Sequence, residues 1–248
     1  MVSSSQSIAA LSPNRIAGRN GLIDRYFYFA MSLLIAAIVV WGFSHTINDS
    51  LFHPAIPRPF LLWIHGAAFS AWVVFYIVQS ALVRTHNVKV HRSLGWLGVA
   101  LAAIMVPLGI TIAVIMGRFD KHLLHQTDAD TFLSIPFGDM LFFGTFVTLA
   151  ILWRKTPELH RRLLFIATGG LLDAAFGRIN YIFDHNLFFV CVDSLILLGV
   201  ARDLLVNRRV HKVYLVALPI MIVLQAFVVY LWRGAPAWWL RIGQSILG

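Results

Sequence analysis

Apolar residues in this chain fall into seven long blocks separated by short polar segments. A helix rises about 1.5 Å per residue, so crossing the roughly 30 Å hydrocarbon core of a bilayer takes about 20 residues. Each block reaches about that length. The predicted spans are 26–45, 59–83, 93–117, 135–153, 162–183, 187–206 and 212–232. The pattern therefore predicts an all-α, polytopic membrane protein with seven transmembrane helices.

The fifth block, "HRRLLFIATGGLLDAAFGRINYIF" from His160 to Phe183, carries charged residues within an apolar sequence. The stretch between Arg162 and Arg178 is too short to cross a bilayer alone, so a full span requires Arg178 to lie inside the membrane. A single re-entrant unit formed with the sixth block is the alternative. A charge in hydrocarbon costs roughly 2.5–3.5 kcal/mol on insertion scales, so an intramembrane ionisable residue indicates function.

Composition excludes several classes of protein. Hydrophobic residues make up 59% of the 248 residues and charged residues only 12%, which leaves no soluble domain of useful size. The single cysteine, Cys191, excludes a disulfide framework and a cysteine zinc site. The sequence also lacks the motifs of serine hydrolases, zinc proteases and phosphate-binding loops.

The net charge of +9 comes from basic residues at the ends of the apolar blocks. Of the 20 Lys and Arg residues, 14 lie on one side of the predicted bundle. By the positive-inside rule this asymmetry predicts a cytoplasmic N-terminus and a C-terminus outside, in the bacterial inner membrane. The lipid bilayer is the predicted partner of these charges, and nucleic acid is not.

The predicted domain organisation has three parts. Residues 1–25 form a cytoplasmic tail that lacks the features of a cleaved signal peptide. Residues 26–232 form the seven-helix membrane domain. Residues 233–248 place Trp238, Trp239 and Ile242 opposite polar positions, which predicts an interfacial amphipathic helix on the outer surface.

Polar residues inside the predicted spans lie in the outer half of the membrane or at its midplane. They are His65, Asp139, Asp173, Arg178, Asp193 and Gln225. This asymmetry predicts an outward-facing polar pocket that binds a small ligand, an ion or a proton. His65, Asp139 and Asp173 also supply the donor types that suit zinc, iron or manganese, which makes them candidate metal ligands.

A purely structural network is the other interpretation of these residues. Arg178 and Asp193 lie at similar depth on either side of the turn at 184–186, so they are predicted to pair across a helical hairpin. Arg202 and Asp203 are interpreted as interfacial residues that reach towards the headgroups. The "TGG" before Asp173 predicts close packing by another helix.

Three loops on the predicted cytoplasmic side resemble one another. They are "VRTHNVKVHRSLG", "WRKTPELHRRLL" and "VNRRVHKVYL", and each leads into His91, His160 or His211 followed by Arg or Lys. This suggests a weak repeat of helical hairpins. These cytoplasmic-mouth histidines are candidates for a metal, haem or proton site. Binding of lipid phosphates and setting of topology is the alternative.

The segments "RPFLLWIHGAAFSAWVVFYIVQSALVRTHNVKVHRSLGWLG" and "PELHRRLLFIATGGLLDAAFGR" resemble a group of uncharacterised bacterial multi-pass membrane proteins. That resemblance covers nearly the whole chain and implies a helical membrane fold without a known chemistry. A looser likeness to di-haem cytochrome b membrane reductases implies haem held by histidines on facing helices. In this sequence only His65 lies inside a predicted span away from its ends, so the alternative left open is a haem near a membrane face.

Three functional hypotheses follow from the sequence. The first is a membrane module with an outward-facing polar pocket for a small ligand, ion or proton. The second is a membrane redox protein that uses haem or a divalent metal. The third is a structural or assembly subunit of a larger membrane complex, and the small-residue helix faces also permit a homodimer.

Overall fold

The first helix is longer than the sequence predicted. The computed structural model describes residues 13–248, with side chains from residue 21 onward. Helix α1 runs from Pro13 to Ser44 without a break. Residues 13–25 are therefore helical where a tail was predicted, and residues 1–12 of that tail lie outside the described residues.

All regular structure in residues 13–248 is helical, which confirms the predicted all-α class. The longer helices after α1 are α2 (Leu61–Arg84), α3 (Val88–Leu123), α5 (Ser134–Leu152), α6 (Pro157–Gly170), α9 (Phe188–Asn207), α10 (Lys212–Gly234) and α11 (Ala237–Leu247). The short elements are a π-helical turn (Asn48–Phe52), α4 (Ala129–Phe132), α7 (Asp173–Phe176) and α8 (Asn180–Asp184).

Among the residues that the structure describes, five helical segments are long and apolar enough to cross a membrane. They are Gly21–Ser44, Leu61–Arg84, Val88–Leu123, Ala129–Leu152 and Lys212–Gly234. Large apolar side chains cover their outward faces, as at Trp96, which is 64% exposed, and Val223, which is 68% exposed. A surface of this kind suits lipid rather than water. The chain thus has the properties of a multi-pass helical membrane protein.

The fifth predicted span is an interrupted helix. Helix α6 begins with Pro157 at its first turn and ends at Gly170 after 14 residues, a length of about 21 Å. The adjacent glycines 169 and 170 lower the helical propensity at this point. A turn then leads into the single turn of α7, and α8 follows. Non-helical backbone at this depth is tolerated where surrounding protein buries it.

The sixth predicted span is a continuous helix. Helix α9 has 20 residues, enough to cross the core at about 1.5 Å per residue. It carries Asp193, Arg202 and Asp203, which makes it more polar than the five segments above.

Contacts between helix termini show which termini lie at the same end of the bundle. At one end, Arg161 of α6 and Arg202 of α9 both form ion pairs with Asp24 of α1. At the other end, Arg233 of α10 donates a hydrogen bond to the side chain of Asn186, 3.2 Å away, just before α9. The interrupted segment and α9 therefore each run from one end of the bundle to the other.

The buried core lies where α5, α6, α9 and α10 meet. Phe143, Phe165, Ile166, Ile196 and Tyr214 are each 0% exposed and belong to one contiguous cluster. Lipid tails are as apolar as these side chains, so close van der Waals packing, rather than transfer out of water, holds such helices together in a membrane.

One face of helix α11 packs against the rest of the protein, and the other face is exposed. Trp239 is buried and its Nε1 donates to the backbone oxygen of Thr131 at 3.0 Å. Leu247 is also buried, whereas Trp238 and Ile242 are exposed. The predicted amphipathic helix is present, but Trp239 faces the protein, because the chain turns back after α10 and lays α11 against α3 and α4.

Helices α1 and α7 approach closely at Gly42. A Cβ atom at this position would overlap the backbone carbonyl of Ala175, two residues after Asp173. Only glycine permits this contact, which holds α7 against α1.

Replacing Gly42 by alanine is expected to destabilise the protein by about 1–3 kcal/mol, because over-packing forces two backbones apart. Gly66→Ala is the matched control, since no atom lies within 4 Å of a Cβ built there. The thermal unfolding midpoint in detergent measures both. Equal midpoints for the two variants would contradict the close α1–α7 contact.

Candidate functional site

Two of the predicted pocket carboxyl groups meet inside the bundle. Asp139 lies in the second turn of α5, and Asp173 is the first residue of α7, directly after the break in α6. The two carboxyl groups are within hydrogen-bonding reach of each other. Asp173 is only 3% exposed, and its Oδ1 atom has no hydrogen-bond partner in the described part of the chain.

Arg178 and His65 lie beside this pair. The Arg178 guanidinium packs over the ring of Phe43, 3.8 Å from its centroid, and donates to the backbone oxygen of Ala174. Its charge acts on both Asp173 and His65. The imidazole of His65 stacks on Phe69 with ring centroids 4.1 Å apart. The Arg178 charge thus acts on predicted pocket residues of two elements, Asp173 of α7 and His65 of α2.

Asp193 and Gln225 form a second polar contact nearby. Gln225 Nε2 on α10 donates to Asp193 Oδ1 on α9 at 2.9 Å. The predicted pairing of Arg178 with Asp193 is wrong, because Arg178 turns towards Phe43 and Ala174 instead. The break after α6 rotates the residues that follow it, so the register of a regular hairpin does not apply.

A small cavity joins the two polar contacts. Asp139, Gln225 and Gly170 are among its lining residues, and its volume is about 20 Å³. This volume suits about one water molecule. The cavity therefore matches water or a proton better than a larger ligand.

The three predicted metal ligands, His65, Asp139 and Asp173, do not form a joint binding site. Within residues 21–248 there is no group of three His, Cys, Asp or Glu side chains that could hold a metal ion. Asp139 and Asp173 face each other, whereas His65 lies on the side of Arg178. A metal bound jointly by these three side chains is thus not supported by the geometry.

The cytoplasmic-mouth histidines separate into two places. His91 and His160 lie edge to face with ring centroids 6.3 Å apart, and His160 Nδ1 is 2.8 Å from the backbone oxygen of Ala150. His211 instead caps α10, where its Nδ1 accepts a hydrogen bond from the backbone N–H of Val213 at 3.2 Å. Burial lowers the pKa of both His160 and His211. The three histidines do not converge on one ligand.

A buried ion pair that the sequence interpretation missed lies at the same end. Arg162 of α6 is 0% exposed and binds the Asp203 carboxylate of α9 with two hydrogen bonds, Nε to Oδ2 at 2.9 Å and Nη2 to Oδ1 at 2.5 Å. Arg202 donates a further bond to Asp203 Oδ1 at 2.6 Å. The prediction that Arg202 and Asp203 are interfacial is wrong, since they are 2% and 0% exposed.

The ion pair belongs to a larger group of charged side chains, to which Asp24 of α1 and Glu158 of α6 contribute further carboxylates. We call this group the basic-end cluster. Its members are Asp24, Glu158, Arg161, Arg162, Arg202 and Asp203. Glu158 accepts from Arg162 at 2.5 Å and from Arg161 at 2.7 Å. Burial raises the pKa of Glu158, but the hydrogen bond and charge of Arg162 and the charge of Arg161 outweigh it and bring the pKa below its usual value. Asp24 accepts from Arg202.

A sequence signal for this cluster did exist. Arg202 and Asp203 end the sixth apolar block on the side where "HRR" begins the fifth block. Opposite charges at one predicted depth on two spans are candidates for pairing. What the sequence lacked was proof that α6 and α9 are neighbours.

No protein-family model, curated protein or solved structure matches this chain.

Replacing Arg162 by methionine is expected to destabilise the protein by about 3–5 kcal/mol, because Asp203 is left buried without its main partner. Arg162→Met combined with Asp203→Leu should recover part of the loss, since no lone buried carboxylate remains. Arg154→Met, an exposed change near the same end, is the control. Unfolding midpoints in detergent compare the variants. A double variant less stable than Arg162→Met alone would contradict the pairing.

Proposed function

We propose that this protein is a multi-pass membrane protein that holds an exchangeable proton on the Asp139–Asp173 pair, within an intramembrane polar pocket. The observation that carries this proposal is the contact between two carboxyl groups at the break in α6. The sequence predicts a pocket for a small ligand, an ion or a proton, and the occupant proposed here is the proton.

Electrostatics explains why the pair would hold one proton. Two carboxylates in contact away from water repel each other strongly, so one proton shared between them relieves the repulsion. One negative charge then remains on the pair. The nearby guanidinium of Arg178 balances that charge.

The surroundings favour exchange of this proton rather than permanent retention. Asp139 lines the cavity that also reaches Gln225, and that cavity has room for about one water molecule. Water there can accept a proton from the pair and return one.

The polar pocket is compatible with a topology in which the chain crosses the membrane seven times. We infer that α9 and the interrupted segment 157–187 also cross the membrane, which is supported by the contacts that place their two ends at opposite ends of the bundle. The basic end, which holds most Lys and Arg residues, would face the cytoplasm by the positive-inside rule. The N-terminus would then be cytoplasmic, and the setting would be a bacterial inner membrane.

Cysteine labelling tests this orientation. In a Cys191→Ala background, Ser245→Cys on α11 should react with a membrane-impermeant maleimide on intact cells. Lys155→Cys, between α5 and α6, should react only after the membrane is permeabilised. Both positions are exposed. The reverse pattern, or equal labelling of both, would reject the orientation.

Reaction with dicyclohexylcarbodiimide tests the proton-holding pair. This apolar reagent modifies protonated carboxyl groups in apolar surroundings, so we expect about one label per chain, on Asp139 or Asp173, at neutral pH. Asp139→Asn or Asp173→Asn should each remove the labelling completely. The reason is that the new amide donates a hydrogen bond to the remaining carboxylate, which then needs no proton.

Asp49→Asn, at an exposed position, is the control and should leave the labelling unchanged. Peptide mass spectrometry locates the modified residue. A single variant that keeps half of the labelling would show two independent carboxyl groups, and absence of labelling in the unaltered protein would reject the proton-holding pair. A purely structural role in a larger complex also predicts that the unaltered protein is not labelled.

A further inference from the structure

An apolar groove runs between α5 and α10 on the lipid-facing surface of the bundle. It is lined by residues within 141–146 and 219–227, all of them apolar except Thr145, and its volume is about 540 Å³. Pockets of about 300–1,000 Å³ are the size that holds drug-sized ligands. Leu141 and Val223, which line the groove, are exposed. A molecule dissolved in the bilayer can therefore enter it from the side.

The groove begins where α5 and α10 stop touching. Near the end of the bundle opposite the basic-end cluster, Ser134 Oγ donates to the backbone oxygen of Val228 at 2.8 Å. A Cβ atom at Gly138 would come within 2.6 Å of Val228 Cγ1, so the two helices are in close contact there as well. Pro219 lies inside α10 at the other end of the groove. A proline within a helix removes one backbone hydrogen bond and bends the helix, which favours a gap beside it.

The groove is continuous with the water-sized cavity that Asp139 and Gln225 line. Phe142 and Leu224 line both spaces and form the boundary between them. The ring of Phe142 lies against Gly170, where a Cβ atom would approach it to 2.5 Å, so this side of the boundary is fixed. Neither Asp139 nor Gln225 is fully buried. Because polar groups that face hydrocarbon without a partner are costly, a ligand that covers both residues would be stabilised.

The polar groups of the cavity suit a hydroxyl group. A volume of about 20 Å³ admits one small polar group and is too small for the phosphate head of an ordinary membrane lipid. The Asp139–Asp173 pair with one shared proton keeps one negative charge, so it accepts hydrogen bonds. Gln225 uses one N–H for Asp193, at 2.9 Å, and its amide has a second N–H to donate. A hydroxyl group can donate to the carboxyl pair and accept from Gln225 at the same time.

We propose that the groove between α5 and α10 binds a neutral lipid with a hydroxyl head, whose apolar chain lies in the groove and whose hydroxyl group occupies the cavity between Asp139 and Gln225. This inference rests on the proposed function, because the charge left on the carboxyl pair is what favours a donor. Asp139 lies five residues after Ser134, the first residue of α5, or about 7.5 Å along the helix. The head therefore lies nearer the membrane surface than the chain, as in a lipid of the adjacent leaflet.

Photolabelling of the full-length protein in liposomes tests this site. The probe is a farnesol analogue that carries a diazirine in its chain, and peptide mass spectrometry locates the adducts. We expect adducts within 141–146 and 219–227 that excess farnesol suppresses. Farnesyl methyl ether has the same chain but cannot donate a hydrogen bond, so it should compete roughly tenfold less well, the effect of one lost hydrogen bond to a charged group.

Two tryptophan variants locate the site on α10. Val223→Trp places a large ring in the groove and should reduce photolabelling roughly tenfold, since the ring and the chain of the probe compete for the same space. Val216→Trp is the matched control, because Val216 is 60% exposed against 68% for Val223 and does not line the groove. Equal unfolding midpoints for the two variants establish that the comparison is between folded proteins.

Three outcomes overturn the hydroxyl-lipid site: adducts spread over the exposed faces of other helices, equal competition by farnesol and its methyl ether, or equal photolabelling of the two tryptophan variants. The second of these would show that the groove holds any apolar chain. Carbodiimide labelling of the same preparations separates this failure from failure of the proposed function. Carbodiimide labelling without specific photolabelling rejects the lipid site and keeps the carboxyl pair. Absence of carbodiimide labelling in the unaltered protein rejects the pair, and with it the reason for a hydroxyl head.

Discussion

The buried pair of Arg162 and Asp203 is the constraint on which the bundle depends. Removing two charges from water is expensive, and their attraction compensates only when the geometry is good and the remaining donors and acceptors are satisfied. Here the guanidinium also reaches the side chain of Glu158, and Asp203 also accepts from Arg202 and from the backbone N–H of His211. These requirements force the ends of α6 and α9 and the start of α10 to meet at one place.

That meeting point makes the interruption of α6 possible. With one end of the segment held by ion pairs, the chain can leave helical geometry at Gly170 and resume it at Asp173 while the surrounding helices cover the freed backbone. Membrane proteins that bind small ions often use broken helices in this way, because the break turns polar groups towards a site. Here the break brings the Asp173 carboxyl group to Asp139.

Polar groups in this protein are therefore of two kinds. The basic-end cluster is dense, and each of its carboxylates accepts from at least one arginine, although the Nε atoms of Arg161 and Arg202 have no partner among the described residues. The groups deeper in the bundle are sparser and include atoms of Asp173 and His65 that have no partner in the described part of the chain. Satisfied networks rigidify a fold, whereas unpartnered buried groups call for a functional explanation.

The sequence by itself determined the membrane class, the helical secondary structure and the polar residues worth examining, because hydrophobic block length and the cost of buried charge can be read from one chain. It could not determine which residues pair. The sequence predicts that Arg178 pairs with Asp193 and that Arg202 and Asp203 lie at the membrane interface. In the structure Arg178 packs on Phe43, and Arg202 and Asp203 are buried in the protein. Such pairings depend on which helices are neighbours and on the rotation introduced by the break at Gly170, and only the tertiary structure fixes both.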